Sequence, residues 1–340
     1  VFKDCPLARW EMEELENPIG NTAWTFNPLT CHLTVRKTIS LAEEETAPWH
    51  EIHETVESVE LLEGVVSICN HEFSKHTKMK SIKIPRSVKS IGDEAFYNCR
   101  NLVSLTIPDS VETIGRFALF RIGSFALKIP RSVVSFTGNP FHEWFEPKLI
   151  DISENKNFFF VDGVLMDKYM TQIVFSSQYM NRDYVIPETV TSICSGAFYA
   201  CSLYSVTIPE SVKHIGAYAF FQCNSLNHVV VPHSVESIGV YAFSDCGSLK
   251  SVNIGGSNVA IKEGAFYNCE YLTSIAISSE SLTAIEDDVF GLCIRLESIK
   301  IPNSVGAIGD SAFFFCKALT SITIPESVKV IGKDVFRECG

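Results

Sequence analysis

The stretch Ile301 to Cys316, IPNSVGAIGDSAFFFC, recurs in near-copies along most of the chain at a spacing of about 23 residues. A period of that length specifies stacked supersecondary units, none of which can bury its apolar face alone, rather than one globule around one core. The Ile-Pro step marks the frame at Ile84-Pro85, Ile107-Pro108, Ile129-Pro130, Ile186-Pro187, Ile208-Pro209, Val231-Pro232, Ile301-Pro302 and Ile324-Pro325. Ile254-Gly255 and Ile277-Ser278 hold the same place without proline.

Upstream of each step runs a short alternating segment such as Leu102-Val-Ser-Leu-Thr-Ile107, the pattern of a strand with one buried face. Proline then ends the strand, because it has no N–H to give a ladder and its φ is fixed. Seven residues after the strand-ending residue comes a second inward one: Ile91, Ile114, Ile193, Ile215, Ile238, Ile261, Ile308 and Ile331, with Ile285 displaced by one insertion. Glycine follows it at Gly92, Gly115, Gly216, Gly239, Gly309 and Gly332, but Cys69, Cys194, Lys262 and Glu286 take the same slot, so a positive φ is not obligatory there. Then come Phe and, three residues on, Cys, as in Phe198/Cys201, Phe220/Cys223, Phe243/Cys246 and Phe266/Cys269. A spine of buried phenyl rings is the main cohesive element, each ring removing roughly 150 to 250 Å² from water.

Two regions depart from the frame. Residues 1–55 do not repeat; Ala23 to Phe26 and His32 to Val35 alternate around Asn27-Pro28 and predict a β-hairpin that caps the first coil, with Trp24, Phe26 and Trp49 as lid residues. A degenerate first repeat follows from about Val56, with Ile68, Phe73 and His76 in the Ile, Phe and Cys slots. The frame then loosens over about 131–185, where Trp144 stands in a Cys slot. There Phe158 to Leu165 predicts a hairpin around Asp162-Gly163, and Thr171 to Phe175 a further strand. The domain reading is therefore a cap over 1–55 and one elongated solenoid over 56–340 with this irregular insertion.

The strand pattern Leu-x-x-Ile-x-Ile and the run Ile-Pro-x-Ser-Val-x-x-Ile-Gly-x-x-Ala-Phe-x-x-Cys together resemble the BspA-like leucine-rich repeat family over roughly residues 56–340. The resemblance implies an α/β leucine-rich-repeat solenoid, curved, with one short parallel strand per repeat, the N-terminal hairpin cap and the irregular β insertion. It further implies a surface-exposed or secreted protein, with adhesion to host or matrix proteins described for some members, and no catalysis.

Composition bounds the partners. A net charge of -12 and a pI near 5.3 disfavour a nucleic-acid backbone or an anionic membrane surface. No apolar run reaches the ~18 residues that membrane insertion needs. The chain opens at Val1 with neither an initiator Met nor a signal sequence, as a mature secreted form or a shortened chain would.

Chemistry is thinly signalled. Of 12 cysteines, eight sit in the Phe-x-x-Cys slot and read as buried thiols packing as small hydrophobes; Cys5 and Cys31 lie outside the periodic scheme and are the pair that could bridge. His32, His50, His53, His71 and His76 invite a metal reading, but His71 and His76 are one residue too far apart for a zinc-protease helix, and no donor set completes His50 and His53. No phosphate-cradling loop or nucleophile elbow is present, so neither an enzyme nor a cofactor is expected.

What remains is surface. Outward positions of the strands carry a serine column, Ser81, Ser104, Ser205, Ser251, Ser274, Ser298 and Ser321, interrupted by His228. Beside it stand Lys83, Thr106, Thr207, Val230, Asn253, Lys300 and Thr323, with Tyr204 giving the middle a different character. These residues form the candidate binding surface for a host or matrix protein or a glycan; a plain solvated face of short strands is the alternative for any one of them. The rival reading for the whole chain is a structural spacer or assembly element that associates weakly through its C-terminal coil, where Ile322, Ile324, Ile331 and Phe336 would be unstacked.

Overall fold

The computed structural model describes residues 23–39, 47–141, 149–177, 180, 182–255, 259–278 and 282–340. The chain divides into two compact units, Val1–Phe158 and Phe159–Gly340. Each is a coil of stacked turns whose strands pair in parallel with their counterparts one repeat away, so the solenoid expected from the period is present in both.

A repeat in the first unit shows how a turn is built. Ser81–Lys83 pairs in parallel with Ser58–Leu61 of the turn before. After Pro85 the chain turns a corner, and a second, two-residue strand, Ser90–Ile91, pairs with Ser67–Ile68 on one side and Thr113–Ile114 on the other. The third side is the Ala-Phe-x-x-Cys run. Here Glu94 and Asn98 adopt φ of 55° and 65°, and the N–H groups of Glu94, Phe96 and Asn98 donate to the carbonyls of Arg116, Ala118 and Phe120 in the next turn, at 2.8, 2.9 and 2.7 Å. The alternate N–H groups, of Tyr97 and Cys99, close short turns onto Glu94 and Phe96.

This geometry corrects two details of the expectation. The described residues contain no α-helix, their helical content being 3-10 at His50–Ile52 and at Leu149, so the class is β rather than α/β. Many turns also carry the second short strand besides the first. The reason is hydrogen bonding: an α-helix would direct its N–H groups along its own axis, whereas here every second one satisfies a carbonyl of the neighbouring turn.

The glycine after the second strand is explained by close approach, not by φ. A Cβ on Gly92 would lie 2.6 Å from the backbone N of Asn70, and one on Gly309 2.6 Å from that of Asp287. The residue beside it often carries a short polar side chain that caps the next turn. Asp93 Oδ1 accepts the N–H of Arg116, Asp287 Oδ1 that of Asp310, and Asp310 Oδ1 that of Lys333, each at 2.7 Å. The consensus serine does similar work, Ser87, Ser110 and Ser234 donating to the carbonyls of Val65, Val88 and Val212.

Inside the second unit the phenyl rings of Phe198, Phe220, Phe243 and Phe266 stack face to face with centroids 5.0, 4.9 and 5.4 Å apart and planes within 4°. The column continues through Phe290, Phe313 and Phe336. The spacing follows the ~4.8 Å between paired strands, so strand pairing sets the ring stack. The ladder cysteines Cys201, Cys223, Cys246, Cys269, Cys293 and Cys316 are buried beside it, and Cys339 is half-buried.

At the start of the first unit Trp24–Asn27 and His32–Val35 form the antiparallel hairpin, and the latter pairs in parallel with Ser58–Leu61. Trp49 is buried and stacks on Phe73 at 5.7 Å, Phe26 is buried, and Trp24 packs edge-on against Trp49, so the three lid residues serve as expected. Phe73 and His76 fill the Phe and Cys slots of the degenerate repeat. In the irregular segment Asp162 and Gly163 both have positive φ, the two-residue turn that joins Phe158–Val161 to Val164–Asp167. Gln172–Ser176 supplies the further strand. Trp144 and Cys5 lie outside the described residues.

Candidate binding surface

Alternation along the longer strands sends one set of side chains into the core and the other to solvent. In the second unit the register puts His228, Ser251, Ser274 and Ser298 in one column, and Val230, Asn253 and Ala276 in the next. Ser205–Thr207 pairs with Asp183–Val185. Tyr204, Thr207, His228, Val230, Asn253, Ser274, Ser298, Lys300, Ser321 and Thr323 are exposed, and Ser205 and Ser251 half-buried. Ser321 and Thr323 belong to no strand. The serines bond locally: Ser205 donates to Asp183 Oδ1 at 2.7 Å, and Ser251 Oγ meets His228 Nδ1.

The structure adds Val185 and Ala276 to the candidates Thr207, Val230 and Asn253. Val185 is 69% exposed and Val230 59%, and with Thr207, Asn253 and Ala276 they make an outward set over five turns that holds no charge. The signal is visible in the sequence as the outward position next to each Ile-Pro, where Lys83 and Lys300 stand in other turns.

In the first unit Ser81, Lys83, Ser104 and Thr106 are likewise exposed. Lys83 is not an open cation: its Nζ lies 2.6 Å from Glu60 Oε1, and Lys80 pairs with Glu57 in the same way. The Lys83 hydrogen bond holds the Glu60 carboxyl below, and the Lys83 amine above, their usual ranges. Ser104 and Thr106 sit where the sheet opens. The segment 104–107 joins neither Ser81–Lys83 nor Leu127–Lys128, and a groove of about 620 Å³ lies over it, walled by Arg86, Phe125 and Lys128. In the connection that leads from this segment to Leu127–Lys128, Gly123 comes so close that a Cβ would lie 1.7 Å from the carbonyl oxygen of Leu102.

The histidines cluster without forming a metal centre. His50 and His53 stack at 4.9 Å, and His76 lies edge-on to His53 at 6.1 Å. Burial pushes His76 down to about 4, and burial, followed by the charges of His53 and Lys75, lowers His50. Among the described residues no group of three His, Cys, Asp or Glu is placed to hold a metal ion. The slot thiols are equally unsuited to nucleophilic chemistry, since burial raises them all and Cys201 to about 12.

The repeat profile of the BspA type leucine rich repeat region, six copies long, matches residues 53–161, 168–290 and 213–340. The chain belongs to that family. Among solved structures, this family member resembles a leucine-rich repeat protein from Eubacterium ventriosum at 23% identity and a TM-score of 0.69, over 93% of this chain and 92% of that one. A leucine rich cell surface protein from Faecalibacterium prausnitzii aligns over 93% of this chain and 90% of its own at 23% identity and TM-score 0.51. The pneumococcal vaccine antigen PcpA aligns over 81% of this chain and 74% of its own at 22% identity and TM-score 0.52. At these identities the likeness is one of fold. The curated proteins contain no match. No helix among the described residues is long and apolar enough to cross a membrane.

Proposed function

We propose that this leucine-rich repeat protein is a non-enzymatic binding or adhesion module, displayed at a cell surface or secreted, whose strand face contacts a protein or glycan. The observation that carries the reading is the set of outward residues Val185 and Thr207, paired in one sheet, and Val230, Asn253 and Ala276, in register in the next, all apolar or uncharged on a chain whose net charge is -12. Exposed valines cost free energy in water, and a flat low-charge strip is the kind of surface that protein interfaces desolvate. The cell-surface neighbour from Faecalibacterium and the vaccine antigen from pneumococcus support an exposed location. Immobilised protein should retain components of extracellular matrix or a glycan array, and Val230→Asp with Tyr204→Ala should reduce retention about tenfold while the fold persists. Retention unchanged by those substitutions would sink the role of the strand face.

A further inference from the structure

The turns that carry Ala-Phe-x-x-Cys form a side of the second unit distinct from the strand face, and part of it is aromatic. Tyr218 stacks on Tyr241 at 5.6 Å, Tyr241 meets the edge of Tyr267 at 6.1 Å, and Phe221 lies against Tyr199 and Tyr218 at 4.7 and 5.6 Å. All five side chains are half-buried, so the rings present a continuous surface across four turns.

That surface is built against local preference. Tyr218 and Tyr241 occupy a slot with φ of 56° and 52°, where the corresponding residues of the flanking turns are Gly196 and Gly264. Bulky side chains avoid the left-handed region, which the repeat imposes at this slot in other turns too, at Glu94, Phe117, Asp288, Ser311 and Asp334. Gly264 completes the arrangement, since a Cβ on it would stand 2.2 Å from the Tyr241 ring.

The surroundings are acidic. The Tyr241 hydroxyl donates to Glu263 Oε1 at 3.3 Å. Burial and then Glu263 raise Tyr241 to about 12, and burial followed by Glu263, Asp287 and Asp310 raises Asp288, as carboxylates do when no cation stands among them. Lys262, the nearest lysine in sequence to Glu263, is committed to Glu286 at 2.8 Å. Elsewhere in the same unit aromatic rings are covered by this chain's own cations: Arg295 over Tyr271 at 4.0 Å, Lys317 over Phe315 at 4.2 Å, Arg337 over Phe314 at 5.9 Å. Among the described residues none lies over Tyr241 or Tyr267.

We infer that this face docks a basic, arginine-containing segment of a partner protein, whose guanidinium groups stack on Tyr241 and Tyr267 and pair with Glu263 and Asp288. Arginine suits it better than lysine, because its planar, weakly hydrated head stacks on a ring and still reaches a carboxylate. The inference is independent of the strand face, which lies at other positions of the repeat.

The test is fluorescence anisotropy of a labelled peptide of repeating Arg-Gly-Ser at low salt, with a Glu-Gly-Ser peptide as the counterpart. The full chain should bind the arginine peptide saturably and the glutamate peptide not at all. Glu263→Gln with Asp288→Asn should weaken binding by ~10-fold, and Tyr241→Ala with Tyr267→Ala by at least as much, with circular dichroism unchanged. Glu188→Gln with Glu326→Gln removes the same charge elsewhere in this unit and should leave binding as it was. Equal weakening by both acidic pairs would overturn the inference, since net charge alone would then account for the attraction, and so would failure of the arginine peptide to bind. Should the tyrosine variant unfold, the carboxylate pair and its control decide the matter alone.

Discussion

The thiol of Cys246 donates to the carbonyl oxygen of Phe220 in the preceding turn, 3.1 Å away, while that same oxygen accepts the N–H of Cys223 at 3.2 Å. The contact repeats: Cys223 reaches Phe198, Cys269 Phe243, Cys293 Phe266 and Cys316 Phe290, at 3.1 to 3.2 Å. The slot therefore favours a residue that is small, apolar and able to donate weakly. Alanine lacks the donor, and serine would bury a more strongly solvated group.

Cys246→Ala should cost about 2 kcal/mol, the sum of one lost hydrogen bond and a small void, read from urea unfolding. In the native protein Cys99, Cys201, Cys223, Cys246, Cys269, Cys293 and Cys316 should resist a thiol reagent and react fully once unfolded. Rapid labelling of this set in the folded state would contradict their burial.

Phe266 is in the middle of the ring column, with Phe243 at 5.4 Å on one face and Phe290 at 5.9 Å on the other. Phe266→Ala removes both stacking partners' contacts at once and should destabilise by about 3–5 kcal/mol in chemical denaturation. A loss below about 1 kcal/mol would mean that the neighbouring turns collapse into the gap.

The inward slots, Ile91, Phe96 and Cys99 for instance, were legible because periodicity reports what each turn buries. The form of the third side was not: Ala95, Phe96 and Cys99 have spacing that a helix could share, and only the acceptors in the next turn decide otherwise. The tyrosine face was hidden for a related reason. Tyr218 and Tyr241 come from one slot of the repeat and Tyr199 and Tyr267 from another, so neither column looks continuous until the turns are stacked. The ion pair of Lys83 was not legible because its partner Glu60 is a full repeat away. Ser81, Ser205, Ser251, Ser274 and Ser298 stand on strands, whereas Ser104 and Ser321 do not, and nothing in the serine pattern showed the sheet opening at 104–107.

Two glycines in neighbouring positions of one turn should respond oppositely. Gly309 would place a Cβ 2.6 Å from the backbone N of Asp287, whereas the nearest atom to a Cβ on Gly306 is the carbonyl oxygen of Thr283 at 3.7 Å. Gly309→Ala should therefore cost roughly 1–3 kcal/mol through a forced shift between turns. Gly306→Ala should be neutral or stabilising by about 0.5 kcal/mol, since it restricts only the unfolded chain. Thermal melts of the two variants give the comparison directly.

Glu72 and His76, both buried in the first unit, are shifted in opposite directions by burial. Glu72 has one oxygen on the N–H of Cys69 at 2.6 Å, and burial lifts its carboxyl from 4.5 to about 7. Its proton is held more tightly in the folded state, so the stabilisation it gives is present below pH 4.5 and is lost as pH rises to 7, on the order of 3 kcal/mol in all. His76 runs the other way: burial, with His53 and His50 adding to it, lowers its value from 6.5 to about 4, so stability is lost as pH falls across that interval. Between pH 4.5 and 6.5 the two slopes oppose, and the wild-type unit should be nearly flat there. Glu72→Gln keeps an acceptor for Cys69 but removes the carboxyl. The variant should gain on wild type at pH 8 and fall away steeply below pH 6.5, where His76 acts alone. Urea unfolding of both proteins at pH 5 and pH 8 tests it, and an equal difference between them at the two pH values would show that Glu72 does not hold its proton in the folded state.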